Sequence, residues 1–412
     1  MKIVEERKEL SVVEVYDITV VGGGIAGVAS AVAASRHGQK VLLVEKMFGL
    51  GGLATLGNII HFLPICDGNG NKVIGGICEE LLLLADEKIT DNKDLGLRKS
   101  PAEWGADSYH VDVPERYANV YNPNIFQIQL EQFLQNEDVD ILYDTRFCDV
   151  ILSEDKLTHI IIENKDGRQA VASKAFIDCS GDADVFFASG EKTVSLDSNV
   201  LCGWHYLWID GVMKLQKFSK PYSCELSKDG AKEPFFSGDN ARDITDMVLQ
   251  SRELFLDRID GMCCDAPETV IELFEIPSIP CFRATRRFEG EYTLSMDDNH
   301  RWFDDTVAMT GDWRSRGPVY ALPLRCLQSN KYENLFVAGR CISSKGGTWD
   351  VTRAIPTCGS TGHAVGVAAA MIAKNGKIDI CDLQRTLKSD GQIIDEELIT
   401  QDGKKKYEKS SI

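Results

Sequence analysis

DITVVGGGIAGVASAVAA (17–34) is the stretch on which the reading of this chain turns. Ile18-Thr-Val-Val21 is a continuous β-branched run, apolar on both faces as a buried parallel strand requires. It stops at Gly22-Gly23-Gly24. Ile25 to His37, rich in Ala and Val, then reads as a helix, which Gly38-Gln39 ends. Val41-Leu-Leu-Val44 is a second buried strand, closing on Glu45. Strand, turn, helix and strand within about thirty residues make one right-handed βαβ unit. In that setting Gly22-x-Gly24-x-x-Gly27 has a physical purpose. Gly22 permits a tight turn, Gly24 lets backbone approach a pyrophosphate, and Gly27 lets helix and strand pack closely. The diphosphate would lie on the helix N-terminus, where free N–H groups and the dipole favour negative charge. Glu45, 18 residues after Gly27, is placed to accept ribose hydroxyls.

Outward from this unit, a glycine-rich stretch, Gly49-Leu-Gly51-Gly52-Leu-Ala54-Thr55, follows the acid. A helical piece is expected at about 76–89 within otherwise irregular sequence, and Asn122-Pro123 caps a helix running to about Gln135. Val139–Tyr143, Asp149–Leu152, Leu157–Asn164 and Ala170–Asp178 read as an antiparallel meander with Asp166-Gly167 as a hairpin turn. From about 185 to 330 tryptophans, paired aromatics and polar residues mix, with a helix expected over Asp243–Ile259. Leu335-Phe-Val-Ala338 is again a buried strand. Cys358–Asn375, with Gly359, Gly362 and Gly366 on one side, reads as a closely packed helix. The end of the chain, through Lys404-Lys-Lys406, reads as a solvated tail.

Composition excludes several function classes. The 412 residues are 43% hydrophobic and 26% charged, enough for a sizeable core and too ordered a mixture for a disordered chain. Lys+Arg 45 against Asp+Glu 63 leaves a net charge of −18, which opposes nucleic-acid and anionic-membrane partners. No apolar run reaches the roughly 20 residues of a membrane span. The charged start, without an apolar h-region, is not that of a secretory signal. The 13 cysteines never fall in a C-x-x-C spacing. They read as reduced thiols of a cytoplasmic protein, and neither metal binding nor an iron–sulfur relay is expected.

The stretch Gly51-Gly52-x-Ala54-Thr55 favours a flavin over a nicotinamide. A cofactor that continues past the pyrophosphate needs a second close-approaching backbone, and a late strand and helix to face the flavin ring. The sequence resembles the FAD-dependent oxidoreductase family within the fumarate reductase/succinate dehydrogenase-like flavoprotein group. The resemblance is carried by DITVVGGGIAGVASAVAA (17–34), VLLVEKMFGLGGLAT (41–55), AFIDCSGDAD (175–184), RATRRFEGEYTLSMDD (283–298), YALPLRCL (320–327), NLFVAGRCIS (334–343) and TRAIPTCGSTGHAVG (352–366). It implies contacts to non-covalent FAD from Gly22, Gly24, Ile25, Ala26, Gly27, Glu45, Lys46, Gly51, Gly52, Ala54 and Thr55. It also implies backbone at Phe147 beside the adenine, Ser180, Gly181 and Asp182 on the adenosine side, and Gly339-Arg340 over the ribityl-phosphate. Thr357, Cys358 and Gly359 would offer helix N–H groups to the flavin. His363 stands where the family commonly has Gln.

Catalytic candidates are Arg286, Arg287, Arg353 and His61. Arginines clamp carboxylates because the planar fork binds bidentately and stays charged. Structural ion pairs with some of the 63 acids compete with that reading. Alternation along a strand would put Arg283 and Arg287 on one face and Arg286 on the other. His61 suits acid–base work near pH 7, or simple packing.

These features predict an α/β protein in which a Rossmann-like FAD-binding domain (a glutathione-reductase-like sheet with a β-meander) spans 1–184 and 331–390. Residues 56–123 are expected partly as an insertion over the flavin, 185–330 as a mixed α+β substrate or cap domain, and 391–412 as a tail. The expected reaction is hydride transfer between flavin N5 and a carbon of a small organic substrate, a carboxylate-bearing one suiting the arginines. The two atoms would stand about 3–3.5 Å apart. Alternatives are a subunit relying on a separate electron donor or acceptor, and a flavin-dependent RNA-modifying factor, which the net charge disfavours.

Overall fold

The computed structural model describes residues 9–68, 71–86, 119–220, 235–315 and 317–400. Strand β1 (Tyr16–Val21), helix α1 (Ile25–Arg36) and strand β2 (Val41–Val44) form the expected unit, and β2 is buried throughout. Helices α2 (Ile77–Asp86) and α3 (Pro123–Asn136) follow. The Asn122 side chain caps α3, accepting from the Asn124 and Ile125 N–H groups. Strands β3 (Asp140–Leu142), β4 (Arg146–Ser153), β5 (Lys156–Asn164) and β6 (Gly167–Asp178) come next. The main sheet has the order β3-β2-β1-β6-β5-β4, with a late strand described below also pairing with β6.

The sequence pattern placed β3 in the antiparallel meander. It pairs parallel with β2 instead, Leu42 opposite Asp140, so only β4, β5 and β6 form the meander. The β5–β6 turn is Lys165-Asp166, and Gly167, at φ 94°, takes the left-handed conformation that starts β6. β6 serves two partners along its length. Its first half pairs antiparallel with β5, and Ser173 to Asp178 pair parallel with β1.

Short helix α4 (Asp184–Ala188) leads to β7 (Thr193–Ser195), β8 (Cys202–Ile209) and β9 (Val212–Ser219). Helix α5 (Ala241–Asp265) starts earlier than the sequence pattern indicates, because the Asn240 side chain caps its N-terminus, and it runs on past Ile259 to Asp265. Strand β10 (Ile271–Glu275) pairs with β8, and β11 (Arg286–Phe288) pairs with β7. Strands β12 (Thr306–Gly311) and β13 (Val319–Pro323) form a buried hairpin. Then come β14 (Leu335–Val337), the late strand beside β6, and helices α6 (Gly347–Thr352), α7 (Ile355–Asn375) and α8 (Ile380–Ser389).

One apolar core runs from the main sheet into Tyr206, Phe288, Val307, Met309 and Tyr320. A small satellite gathers Phe236, Met247 and Phe282. The expected tail begins later than 391: Gln392, Ile394 and Ile399 are buried, and a short helix covers Glu396–Thr400. The 404–406 lysine run and residues 87–118 of the expected insertion lie outside the described residues. Among the described residues no helix is long and apolar enough to cross a membrane.

Candidate functional site

β1, β6 and β14 all end at one edge of the sheet: Val21 stands opposite Asp178, and Asp178 opposite Val337. Carboxyl ends of parallel strands, where the order of connection changes, are where such sheets take ligands. The turns leaving these strands carry residues 22–27, 180–182 and 339–340, three of the stretches singled out in the sequence.

Gly22, at φ 103°, makes the turn after β1; a Cβ there would fall 2.4 Å from the Cys179 carbonyl oxygen. At Gly24 a Cβ meets nothing within 4 Å. Helix α1 begins here with no side-chain cap and no acid in its first turn, so its leading N–H groups remain for an anion. α1 therefore presents open space and uncapped donors together, which fits a diphosphate.

Glu45 is buried, and each of its carboxylate oxygens accepts a backbone N–H: Gly23 at 2.7 Å and Met47 at 2.8 Å. The acid braces the glycine turn, and each of its oxygens keeps a further lone pair. The second glycine stretch lies on the first, because Gly51 N donates to Gly23 O at 2.8 Å. The Thr55 hydroxyl donates to Leu50 O within its own loop, and Tyr121 Oη donates to the Ala54 carbonyl at 2.8 Å. Thr145 N donates to Glu45 O at 3.1 Å, tying the start of β4 to the acid's loop; Phe147 is half-buried on β4 and Lys46 is exposed.

The loop after β6 is organised by Asp178, which sequence reasoning passed over. Fully buried, it accepts from Ser180 N and Oγ, Val185 N and Phe186 N, at 2.6–3.2 Å. Burial raises its pKa, against the pull of those donors. Arg340 then ties the loop to the far end of the chain. Its guanidinium donates to Gly181 O at 2.8 Å, Asp182 Oδ1 at 2.9 Å and Phe282 O at 2.7 Å. The side chain expected over the ribityl-phosphate is thus committed to protein groups. Thr285 Oγ1 adds a 2.6 Å bond to Asp182.

α7 starts at Ile355, three residues before the expected point, with Pro356 in its first turn. It has no side-chain cap and no first-turn acid. Thr357 is buried, its hydroxyl 2.7 Å from that of Thr310. Burial pushes the Cys358 thiol up to about 12, so it is protonated near neutrality. α7 lies directly on α1: a Cβ on Gly362 would sit 2.3 Å from Ala26 O, and one on Gly366 2.4 Å from Ser30 O. Gly359 instead faces Cys78 of α2, and Gly339, at φ 83°, faces the Ala26 Cβ at 3.0 Å. Gly362 against Ala26 and Gly366 against Ser30 run the two helices parallel, so both uncapped starts point the same way, that of α7 about 9 Å ahead of that of α1.

The four catalytic candidates have different surroundings. Arg286 pairs with Asp184 at 2.6 Å, donates to Asp182 O at 2.8 Å and stacks 4.1 Å over Phe187. Arg353 pairs with Asp350 at 2.8 Å, and Arg314 approaches the same acid at 3.9 Å. Arg287 leaves β11 on the opposite face from Arg286. It is 6% exposed, donates to Phe288 O at 3.1 Å and lies 5.8 Å from the Trp349 ring. Among the described residues no carboxylate closes an ion pair with it, and burial lowers its pKa. Trp349, also unforeseen, donates its indole N–H to Arg340 O at 2.6 Å. His61 sits edge-on to Trp204 at 5.1 Å, and burial, then Lys217, lowers its pKa to about 4. At pH 7 it is therefore neutral, one ring nitrogen carrying N–H and the other free to accept.

A model of the FAD dependent oxidoreductase family matches residues 17–198 and 231–387. Over 131 residues the chain is 29% identical to a tRNA uridine 5-carboxymethylaminomethyl modification enzyme of Campylobacter hominis, covering 30% of this chain and 20% of that one. Over 71 residues it is 39% identical to a thioredoxin reductase of Ureaplasma parvum, 17% of this chain and 23% of the relative. The chain thus spans about a fifth of the length of these curated relatives. A solved geranylgeranyl bacteriochlorophyll reductase-like protein from Thermoplasma acidophilum aligns over 94% of this chain and 90% of its own, at 14% identity and TM-score 0.41.

Proposed function

The chain belongs to the FAD dependent oxidoreductase family, and from that premise we propose that it acts on a small organic anion whose carboxylate is neutralised by Arg287. FAD, when bound, supplies a flavin ring that exchanges a hydride with a substrate carbon at N5. The chain's own residues do the rest. Gly24 and the first N–H groups of α1 hold the diphosphate, and Glu45 takes the ribose on its remaining lone pairs. Gly52, Ala54 and Thr55 carry backbone along the cofactor, and the α7 dipole with the Thr357 N–H supports the flavin's anionic form; the earlier start of α7 spends the expected Cys358 N–H on the Ala354 carbonyl, and Gly359 N lies inside the helix as well. Residues 185–330 act as the cover that excludes water.

The observation that supports the anionic substrate is Arg287 itself, a buried guanidinium that closes no ion pair among the described residues: Glu289, the acid acting on it from further off, is held by Lys192. An unpaired buried cation costs several kcal/mol unless an anion arrives. Arg286, Arg340 and Arg353 already hold acids of the chain. The test is an anaerobic titration of the FAD-loaded protein with a panel of small carboxylates, followed by flavin absorbance. Arg287→Ala should keep the flavin and need about 10- to 100-fold more carboxylate for the same response, the loss of one charge-assisted contact. A response equal to that of the parent protein overturns the assignment. A parallel screen of NADH, NADPH and artificial dyes separates a self-sufficient enzyme from a subunit with a separate electron partner. The tRNA activity of the Campylobacter relative is not carried over, since a net charge of −18 repels a phosphate backbone.

A further inference from the structure

Cys202 and Cys281 are 79 positions apart in the chain, yet their sulfurs lie 3.5 Å from one another. Both residues are 3% exposed. Arg283 Nη2 lies 3.7 Å from the Cys202 sulfur and donates to Ser219 Oγ at 2.7 Å. Ser219 is exposed and faces Cys202 across the β8–β9 ladder, so a small molecule arriving from solvent has a short way to that sulfur. A disulfide bond is about 2.05 Å long, and closing this contact asks for an approach of about 1.5 Å.

We propose that Cys202 and Cys281 form a redox-active dithiol that hydrogen peroxide converts to an intramolecular disulfide. The two sulfurs have distinct roles. The Cys281 S–H donated to Cys202, then Arg283 and Ser219, outweigh burial and hold the Cys202 thiol below its usual range. The same bond and burial raise Cys281. Cys202 is therefore the attacking thiolate. Its sulfur takes an oxygen from the peroxide: an S–O bond forms, the O–O bond breaks, and the departing hydroxide leaves as water with a proton. Cys281 then attacks the Cys202 sulfur. The S–S bond forms, the S–O bond breaks, and its proton leaves with a second water. Two thiols lose two electrons and two protons, and one peroxide becomes two waters.

The link reaches toward the cofactor edge. Cys281 precedes Phe282, whose carbonyl holds Arg340, and Arg340 holds Gly181 and Asp182. Drawing Cys281 toward β8 pulls on the segment that anchors this loop. The oxidation itself needs no bound cofactor and does not depend on the proposed substrate.

The full chain, reduced and desalted, would be exposed to graded hydrogen peroxide, blocked with N-ethylmaleimide, digested and mapped by mass spectrometry. Exposed Cys264 and Cys381 serve as the internal comparison. The expected result is a 202–281 linked peptide that accumulates no later than those two thiols disappear and is reversed by dithiothreitol. In Cys281→Ala, dimedone should label Cys202. The proposal is overturned if Cys264 and Cys381 oxidise while 202 and 281 stay alkylatable after unfolding, or if dimedone does not label Cys202 in folded Cys281→Ala. The parent protein's map decides alone should that variant not fold.

Discussion

A Cβ built on Gly27 would fall 1.9 Å from the carbonyl oxygen of Gly22, whereas one on Gly24 meets no atom within 4 Å. The two glycines therefore separate folding from binding. Gly24→Val should fold, by circular dichroism and melting, and purify without the visible flavin absorbance of the parent protein. A fully yellow Gly24→Val protein would remove the basis for placing the diphosphate there. Gly27→Ala should instead lower stability by about 1–3 kcal/mol, the usual cost of overpacking, read from urea midpoints. Arg286 and Arg287 make a similar contrast. Arg286→Ala breaks a close ion pair to Asp184 and a bond to Asp182 O, and should cost about 2 kcal/mol in the same measurement. Their adjacency was plain in the sequence. Which of them was already engaged was not, because Asp184 lies 102 positions away from Arg286.

α7 is the element whose reading went furthest from sequence alone. Glycines at 359, 362 and 366 share one side of a helix, and a helix without Cβ atoms on a face can be approached closely. The structure assigns each a neighbour: Gly362 meets Ala26 O, Gly366 meets Ser30 O, and Gly359 meets Cys78. Gly362→Ala should push α7 away from α1, lower stability by about 1–3 kcal/mol and loosen flavin retention, since the two uncapped helix starts separate. Melting and cofactor release on dilution check this together, and a destabilised variant that holds flavin as tightly as before contradicts the shared cradle. β3 shows the opposite outcome. Its apolar run is short, and a short run has the same appearance beside a parallel or an antiparallel neighbour. The pairing with β2 follows from α3, which returns the chain to that edge of the sheet.

Across the whole molecule, Asp390 joins the two ends of the chain. His37, just after α1, places Nε2 2.7 Å from Asp390 Oδ2, and buried His363 of α7 places its own at 3.8 Å. Burial pushes the Asp390 carboxyl up, but the two imidazoles, His363 and then His37, outweigh it and hold it below the usual carboxylate range. With the folded pKa depressed, the link contributes stability above the unfolded carboxyl's pKa near 4 and loses it as pH falls through the folded value. Melting temperatures of Asp390→Asn measured between about pH 5 and pH 3 should fall less steeply than those of the parent protein. Parallel slopes would mean that the contact contributes nothing to acid stability.

The βαβ unit, the glycine turn, the cap of α3 and the flavin class were legible because each is a local matter. A β-branched run, a glycine at positive φ or a capping side chain acts over fewer than ten neighbouring residues, and its spacing is written in the chain. Arg340 reaching back to Gly181 and Asp182, Arg286 closing on Asp184, Asp178 gathering the loop after β6, and Cys202 meeting Cys281 belong to the folded protein. These groups act over a few ångströms of space between residues that, Asp178 apart, are 79 to 159 positions apart in the chain. Short-range forces between distant chain segments have no periodicity to read, so packing alone settled which charges and thiols found partners.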